Sequence, residues 1–272
     1  MDTNTRIQNF GPSLIKQRKH FNYSMDTTIN KDNISNKENI GVEEAKFIGF
    51  RHIYVTLGLE ENDFVVKNAY QSSSNGITHI YLKQIINGIE ITNSDININI
   101  DRRGRVITMG STAYIKPTAA DNMIEEDSGG QHRTSNNQNI LDLGKDNDFS
   151  DPRNTYIRDI MASADLRLAS VSKAIKILAR HLDKNIDLET SGFTDSASTD
   201  IHGDIIYAVK GVPTNFTRDG QVVYKPAYIQ LDSGKLESVW DLQVKQNTNW
   251  WNAFVSTRDG KVVSLINWTT YD

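Results

Sequence analysis

Between Ile77 and Asp101 the chain leaves little choice of backbone conformation. Asn87-Gly88 stands between two runs rich in β-branched residues, ITHIYLKQII and IEIT, and both turn residues tolerate positive φ, which is the strongest short-range signal for a β-hairpin. Directly afterwards Asp95-Ile-Asn-Ile-Asn-Ile-Asp101 alternates strictly. Successive side chains of a strand point to opposite faces, so Ile96, Ile98 and Ile100 are expected to share one buried face. Asp101-Arg-Arg-Gly104 then turns the chain into Val106-Ile107. Upstream, VEEAKFIGFRHIYVTL, residues 42 to 57, opens with acidic residues suited to a helix N-terminus and is followed by Gly58, a natural C-cap. A helix followed by an antiparallel meander is an α+β unit in which the helix covers the apolar face of the sheet.

The second half repeats this plan. Leu168, Val171, Ile175, Leu178 and Leu182 are spaced by 3, 4, 3 and 4 residues, one stripe of an amphipathic helix, with Ser170 or Ser172 available to cap its start. A loop rich in Ser, Thr and Asp is expected from Thr190 to Asp200. Strands return after it, separated by Arg218-Asp-Gly220, Asp232-Ser-Gly234 and Arg258-Asp-Gly260. No short-period repeat accompanies this duplication of plan, which argues against a solenoid.

At 272 residues, a prior of roughly 150 residues per domain gives about two domains. The expected organisation is an irregular N-terminal arm over residues 1–40, a first lobe over 41–115, a polar linker over 116–160 and a second lobe over 161–272. The linker is read from its richness in Asp, Asn, Ser and Gly. Apolar residues at 38% and charged residues at 24% fit a folded chain rather than a disordered one, and no apolar run approaches the ~20 residues of a spanning helix. A formal net charge of −4 gives no electrostatic reason to expect a nucleic-acid partner. Met1-Asp-Thr-Asn-Thr-Arg6 lacks the basic start and apolar region of a signal peptide. The chain is therefore expected either to remain inside or to lack its natural leader.

Familiar catalytic signatures are missing. None of the six histidines (His20, His52, His79, His132, His181, His202) precedes Glu, so there is no H-E-x-x-H zinc helix. The absence of cysteine removes thiolate nucleophiles and cysteine-based zinc blockade. A G-x-S-x-G elbow, a phosphate loop and G-x-G-x-x-G are absent too. His202 and Asp204 fall short of the three protein ligands that a tetrahedral site wants. Glu43-Glu44 and Glu125-Glu126 are read as solvated rather than as a converging acid/base pair, and Lys16, Arg18, Lys19 and Arg102, Arg103, Arg105 as solvated charge. Catalytic and metal-binding residues are accordingly expected to be none, and no cofactor is expected in this chain.

Trp240, Trp250, Trp251 and Trp268 crowd into the last 33 residues. Neighbours in a strand face opposite ways, so one of Trp250 and Trp251 is expected in the core and the other at an interface. Four N-x-[ST] triplets, at Asn22, Asn33, Asn215 and Asn267, permit a secretory route.

The segments Gly76-Ile-Thr-His-Ile-Tyr-Leu-Lys-Gln84, Asn87-Gly-Ile-Glu90 and Asp95 to Val106, following the helix at Val42, resemble the fungalysin/thermolysin propeptide motif: a helix, a G-x-T-H-[VI]-Y-x-x-Q strand, an N-G turn and a strand with alternating Asn. Val239-Trp-Asp-Leu242, Asn249-Trp-Trp251 and Thr257 to Val263 resemble the PepSY-like portion of the same prosegments. The resemblance covers roughly residues 40 to 270. It implies a cystatin-like and PepSY-like α+β fold of two lobes, each a helix on an antiparallel meander. It also implies the prosegment of a secreted zinc metalloendopeptidase, which inhibits the catalytic domain and assists its folding. On this reading the partner is a metallopeptidase catalytic domain, zinc belongs to that domain, and the domain lies outside these residues. The peptidase-facing residues are then Trp250, Trp251, Asn267, Trp268, Thr269, Thr270, Tyr271 and Asp272, next to the point where a catalytic domain would follow. The same features fit a free-standing cystatin-like inhibitor or binding module acting in trans. Membrane and nucleic acid are not expected as partners.

Overall fold

The structure, a computed structural model, describes residues 9–13, 19–22, 39–115, 156–184, 192–199 and 205–269. The class is mixed α+β. Among the described residues eleven strands form one connected sheet, with a long path ordered β1-β5-β4-β8-β9-β10-β11. The strands fall into two antiparallel sets that meet at a single parallel step.

The first set contains β1 (Lys19–Asn22), β2 (Phe64–Gln71), β3 (Thr78–Ile86), β4 (Ile89–Ile100) and β5 (Val106–Ser111). Asn87 and Gly88, at φ 52° and 78°, make the β3–β4 turn as the sequence demands. Ile80, Ile96, Ile98 and Ile100 are fully buried beneath α1 (Val42–Leu57). The helix lies close because its inner face is built from Ala45, Gly49, His52 and Ile53. A Cβ on Gly49 would stand 3.2 Å from Ile80 Cδ1 and 3.4 Å from Ile98 Cγ2. Gly58 ends the helix in the left-handed region at φ 71°, and its N–H donates to the Tyr54 carbonyl at 2.9 Å.

The second set contains β6 (Thr194–Thr199), β7 (Ile205–Lys210), β8 (Gln221–Gln230), β9 (Leu236–Lys245), β10 (Trp250–Ser256) and β11 (Val262–Asn267). It is covered by α3 (Ala164–His181), which follows the short α2 (Tyr156–Ala162). Val171, Ile175 and Leu178 of the expected stripe are fully buried against Trp240, Leu242 and Trp251. Two details depart from expectation. The cap is Ser163, whose Oγ accepts the Leu166 N–H at 3.4 Å, whereas Ser170 accepts the Trp240 Nε1–H at 3.0 Å and Ser172 is buried within the helix. Part of the expected loop from Thr190 to Asp200 is the strand β6, which among the described residues pairs with β7 alone and is mostly exposed, apart from the inward-facing Asp195 side chain. The residue it buries is a carboxylate rather than an apolar side chain, so it carries no hydrophobic alternation.

Where the sets meet, Ile91 of β4 pairs in parallel with Tyr228 of β8, and both are buried with Tyr114, Ile157 and Leu236. An amide clasp reinforces the step. Asn93 Nδ2 donates to the Gln230 carbonyl at 2.9 Å, the Gln230 N–H returns to Asn93 Oδ1 at 2.8 Å, and Gln230 Nε2 reaches the Thr112 carbonyl at 2.7 Å. Glu90 adds an ionic joint, meeting Lys67 of β2 at 2.5 Å and Lys225 of β8 at 3.0 Å.

The N-terminal arm is more regular than its sequence suggests. Lys19–Asn22 pairs antiparallel with β5, and Phe10 makes a two-bond bridge to Leu265 of β11. One arm thus adds to an edge of each strand set. Backbone groups make these bonds, so the side-chain pattern carried no sign of them.

Candidate docking surface

Of the residues expected to face a peptidase, Trp250, Asn267, Trp268 and Thr269 lie together at the end of the second sheet where β10 begins and β11 ends. Trp250 is 44% exposed and Trp268 59%. A backbone bond holds the two together, the Trp268 N–H donating to the Trp250 carbonyl at 2.8 Å, and the Trp250 N–H donates to the Thr269 side chain, Oγ1, at 2.9 Å. Lys245 Nζ sits 5.2 Å from the Trp250 ring centroid, a cation–π contact across the β9–β10 pair. Asn267 organises the corner. Its Nδ2 donates to Asn249 Oδ1 at 2.7 Å, its Oδ1 accepts the Thr269 N–H at 3.1 Å, and its own N–H donates to Asn9 Oδ1 at 2.8 Å.

Trp251, named with this group from sequence, belongs elsewhere. It is 4% exposed in the core beneath α3, and its Nε1–H donates to Gln246 Oε1 at 3.0 Å. The alternation rule separates the adjacent tryptophans correctly, and of the two only Trp250 is exposed. Thr270, Tyr271 and Asp272 lie outside the described residues, as do Asn33, His132, His202, Glu125 and Glu126.

Three of the described histidines, His52, His79 and His181, make contacts within the fold. His52 is buried on α1, and that burial pushes its imidazole below its ordinary pKa. His79 Nδ1 lies 2.7 Å from Asn99 Oδ1 on the solvent side of the first sheet. His181 packs its ring 5.5 Å from that of Phe10. Among the described residues no group of three His, Asp or Glu side chains could hold a metal ion, and no helix is long and apolar enough to cross a membrane.

Other residues of the propeptide-like segment are architectural too. Gln84 is buried; its Oε1 accepts from Ser94 Oγ and from the Tyr114 N–H, both at 2.7 Å, while its Nε2 donates to the Tyr114 carbonyl at 2.9 Å. Thr78 is fully buried. Sequence reasoning missed a buried polar cluster in the second set. Arg167 of α3 meets Asp195 of β6 at 2.5 Å and the Met161 carbonyl at 3.1 Å, and Tyr224 donates to the same carboxylate at 2.7 Å. Burial and the Asp195 charge push the Tyr224 hydroxyl well above its usual pKa.

The chain carries a propeptide motif: residues 62–113, from the turn before β2 to just past β5, match the Fungalysin/Thermolysin Propeptide Motif. Over most of its length it is similar to fungal extracellular metalloproteinases. It is 23% identical over 197 residues to Extracellular metalloproteinase 1 of Arthroderma gypseum, covering 72% of this chain and 24% of that protein. It is 22% identical over 219 residues to Extracellular metalloproteinase 9 of Coccidioides posadasii, covering 78% and 27%. The chain thus spans about a quarter of the length of these relatives. Among solved structures, the Bacillus megaterium YpeB C-terminal domain aligns with 88% of this chain and 70% of its own at 11% identity, with a TM-score of 0.27.

Proposed function

We propose that this chain is the prosegment of a secreted fungalysin-type zinc metalloendopeptidase, and that it covers the cleft of the catalytic domain and assists its folding. The observation that carries the reading is the propeptide motif at residues 62–113, set within an alignment that takes in most of the chain but only a quarter of relatives named as extracellular metalloproteinases. In this reading residues 41–115 and 161–272 are two helix-on-meander lobes, the second PepSY-like, and zinc is bound by the catalytic domain. Trp250 and Trp268 supply exposed aromatic anchors of the kind that dominate interface energetics, and Lys245, Asn267 and Thr269 supply the polar rim.

The test is titration of the purified chain into a fungalysin catalytic domain from the same source while peptide hydrolysis is followed, with thermolysin as control. The expected result is saturable inhibition of the fungalysin alone. W250A and W268A should each weaken inhibition roughly tenfold or more without moving the chain's unfolding midpoint. A folded chain that leaves hydrolysis unchanged at every concentration would overturn the inhibitory role.

A further inference from the structure

We propose that Asn215 is an N-glycosylation site and that Asn267, which carries the same sequence triplet, is closed to the modification in the folded chain. The proposal rests on the reading of the chain as a secreted prosegment. Sequence alone treats the two asparagines as equivalent, since each is followed by a non-proline residue and then Thr. Their surroundings are opposite.

Asn215 stands at the tip of the turn between β7 and β8, exposed, with no side-chain hydrogen bond to another described residue. Its neighbours hold the turn from below. Phe216 and Thr217 are buried, and their N–H groups donate to the Pro213 carbonyl at 2.9 and 3.1 Å. The Arg218 N–H donates to the Lys245 carbonyl at 2.9 Å, and Gln246 Nε2 donates to the Phe216 carbonyl at 3.1 Å. The side chain is thus offered on an anchored turn where a sugar displaces nothing. At Asn267 the amide nitrogen that would be glycosylated already donates to Asn249 at 2.7 Å, and its oxygen accepts from Trp250 and Thr269. A glycan there would replace one N–H of a nitrogen packed against another side chain and break open the corner.

The co-reactant is an oligosaccharide linked to a polyisoprenyl diphosphate. A bond forms between Asn215 Nδ2 and the anomeric carbon, the bond from that carbon to the phosphate oxygen breaks, the polyisoprenyl diphosphate leaves, and the amide gives up one proton. Because the Asn215 turn is bonded to Lys245 and Gln246, and Lys245 lies over Trp250, a glycan at Asn215 would border the tryptophan face and limit how far a partner extends over it.

The full chain, secreted from a glycosylating yeast behind a supplied signal sequence, would be purified folded, deglycosylated enzymatically in heavy-oxygen water and mapped by peptide mass spectrometry. Most Asn215 peptides should carry the label and Asn267 peptides should not, and N215Q should lose that glycan while keeping the wild-type unfolding midpoint. An unlabelled Asn215, or an Asn267 labelled to the same extent, would overturn the proposal. Since the signal is supplied, this outcome is independent of the natural route. Confinement of the native chain inside its own cells would instead overturn the prosegment reading.

Discussion

The two strand sets share a plan and close it by different means. In the first, α1 lies directly on an isoleucine ladder because Ala45 and Gly49 keep its inner face shallow. In the second, α3 stands over Trp240 and Trp251, and the Arg167 guanidinium bolts it to Asp195 and Tyr224. A helix can therefore be seated on a meander by close approach or by a buried polar bolt. The first solution is sensitive to added volume and the second to a lost partner.

The largest effect should come from the bolt. Arg167 and Asp195 side chains are only 14% and 7% exposed, and breaking a buried pair from one side leaves an uncompensated charge at a cost of about 3–5 kcal/mol. R167A should lower stability by about that amount in urea unfolding, with faster amide exchange in α3 and β6 before β3 and β4 respond. Uniform loss of protection across both sets would show that they unfold together and would break the comparison.

Next is G49V, which places a branched side chain where even a Cβ touches Ile80. Overpacking of this kind costs typically 1–3 kcal/mol, and here the early exchange should appear in α1 and β3. The same substitution with no loss of stability would mean that the isoleucine ladder yields, and that close approach is not what seats α1.

The smallest effect concerns the joint between the sets. Burial pushes the Glu90 carboxyl up, but hydrogen bonds and charge from Lys67 and Lys225 more than reverse this, so it lies below its ordinary value of 4.5. A carboxyl depressed in the folded state contributes stability above its unfolded pKa that is lost as pH falls through the folded one. The buried Asp241 carboxyl, which faces Lys225 and Glu90 from β9, is raised by burial and works the other way, its charged form being the costly one. E90Q should thus be less stable than wild type at pH 7 by about 1 kcal/mol, as suits a partly exposed pair. The difference should close only below pH 4.5. A difference independent of pH would assign Glu90 a packing role instead.

Local chemistry was legible in the sequence. Positive φ at Asn87 and Gly88, the buried faces of Ile96, Ile98 and Ile100, the span of α1 and its Gly58 cap all follow from rules that act over a few residues. What escaped was long-range or made by backbone. Arg167 and Asp195 are 28 residues apart, and neither shows in sequence that a helix and an edge strand converge. β6 buries a polar Asp195 instead of an apolar stripe, and β1 is defined by its partner rather than by its own side chains. At the end of the second sheet, the opposite facing of Trp250 and Trp251 was readable from adjacency, whereas the asparagine corner of residues 9, 249 and 267 joins three separate segments.

The bond from Asn267 N–H to Asn9, together with the bridge between Phe10 and Leu265, puts an early residue and a late one side by side. Polypeptides attached ahead of Asn9 and after Thr269 would set out from neighbouring points. The chain is therefore a natural substrate for circular permutation: a short connector could join these two positions, and new ends could be opened at an exposed hairpin such as Asp232-Ser-Gly234 with both helix-on-sheet cores left whole.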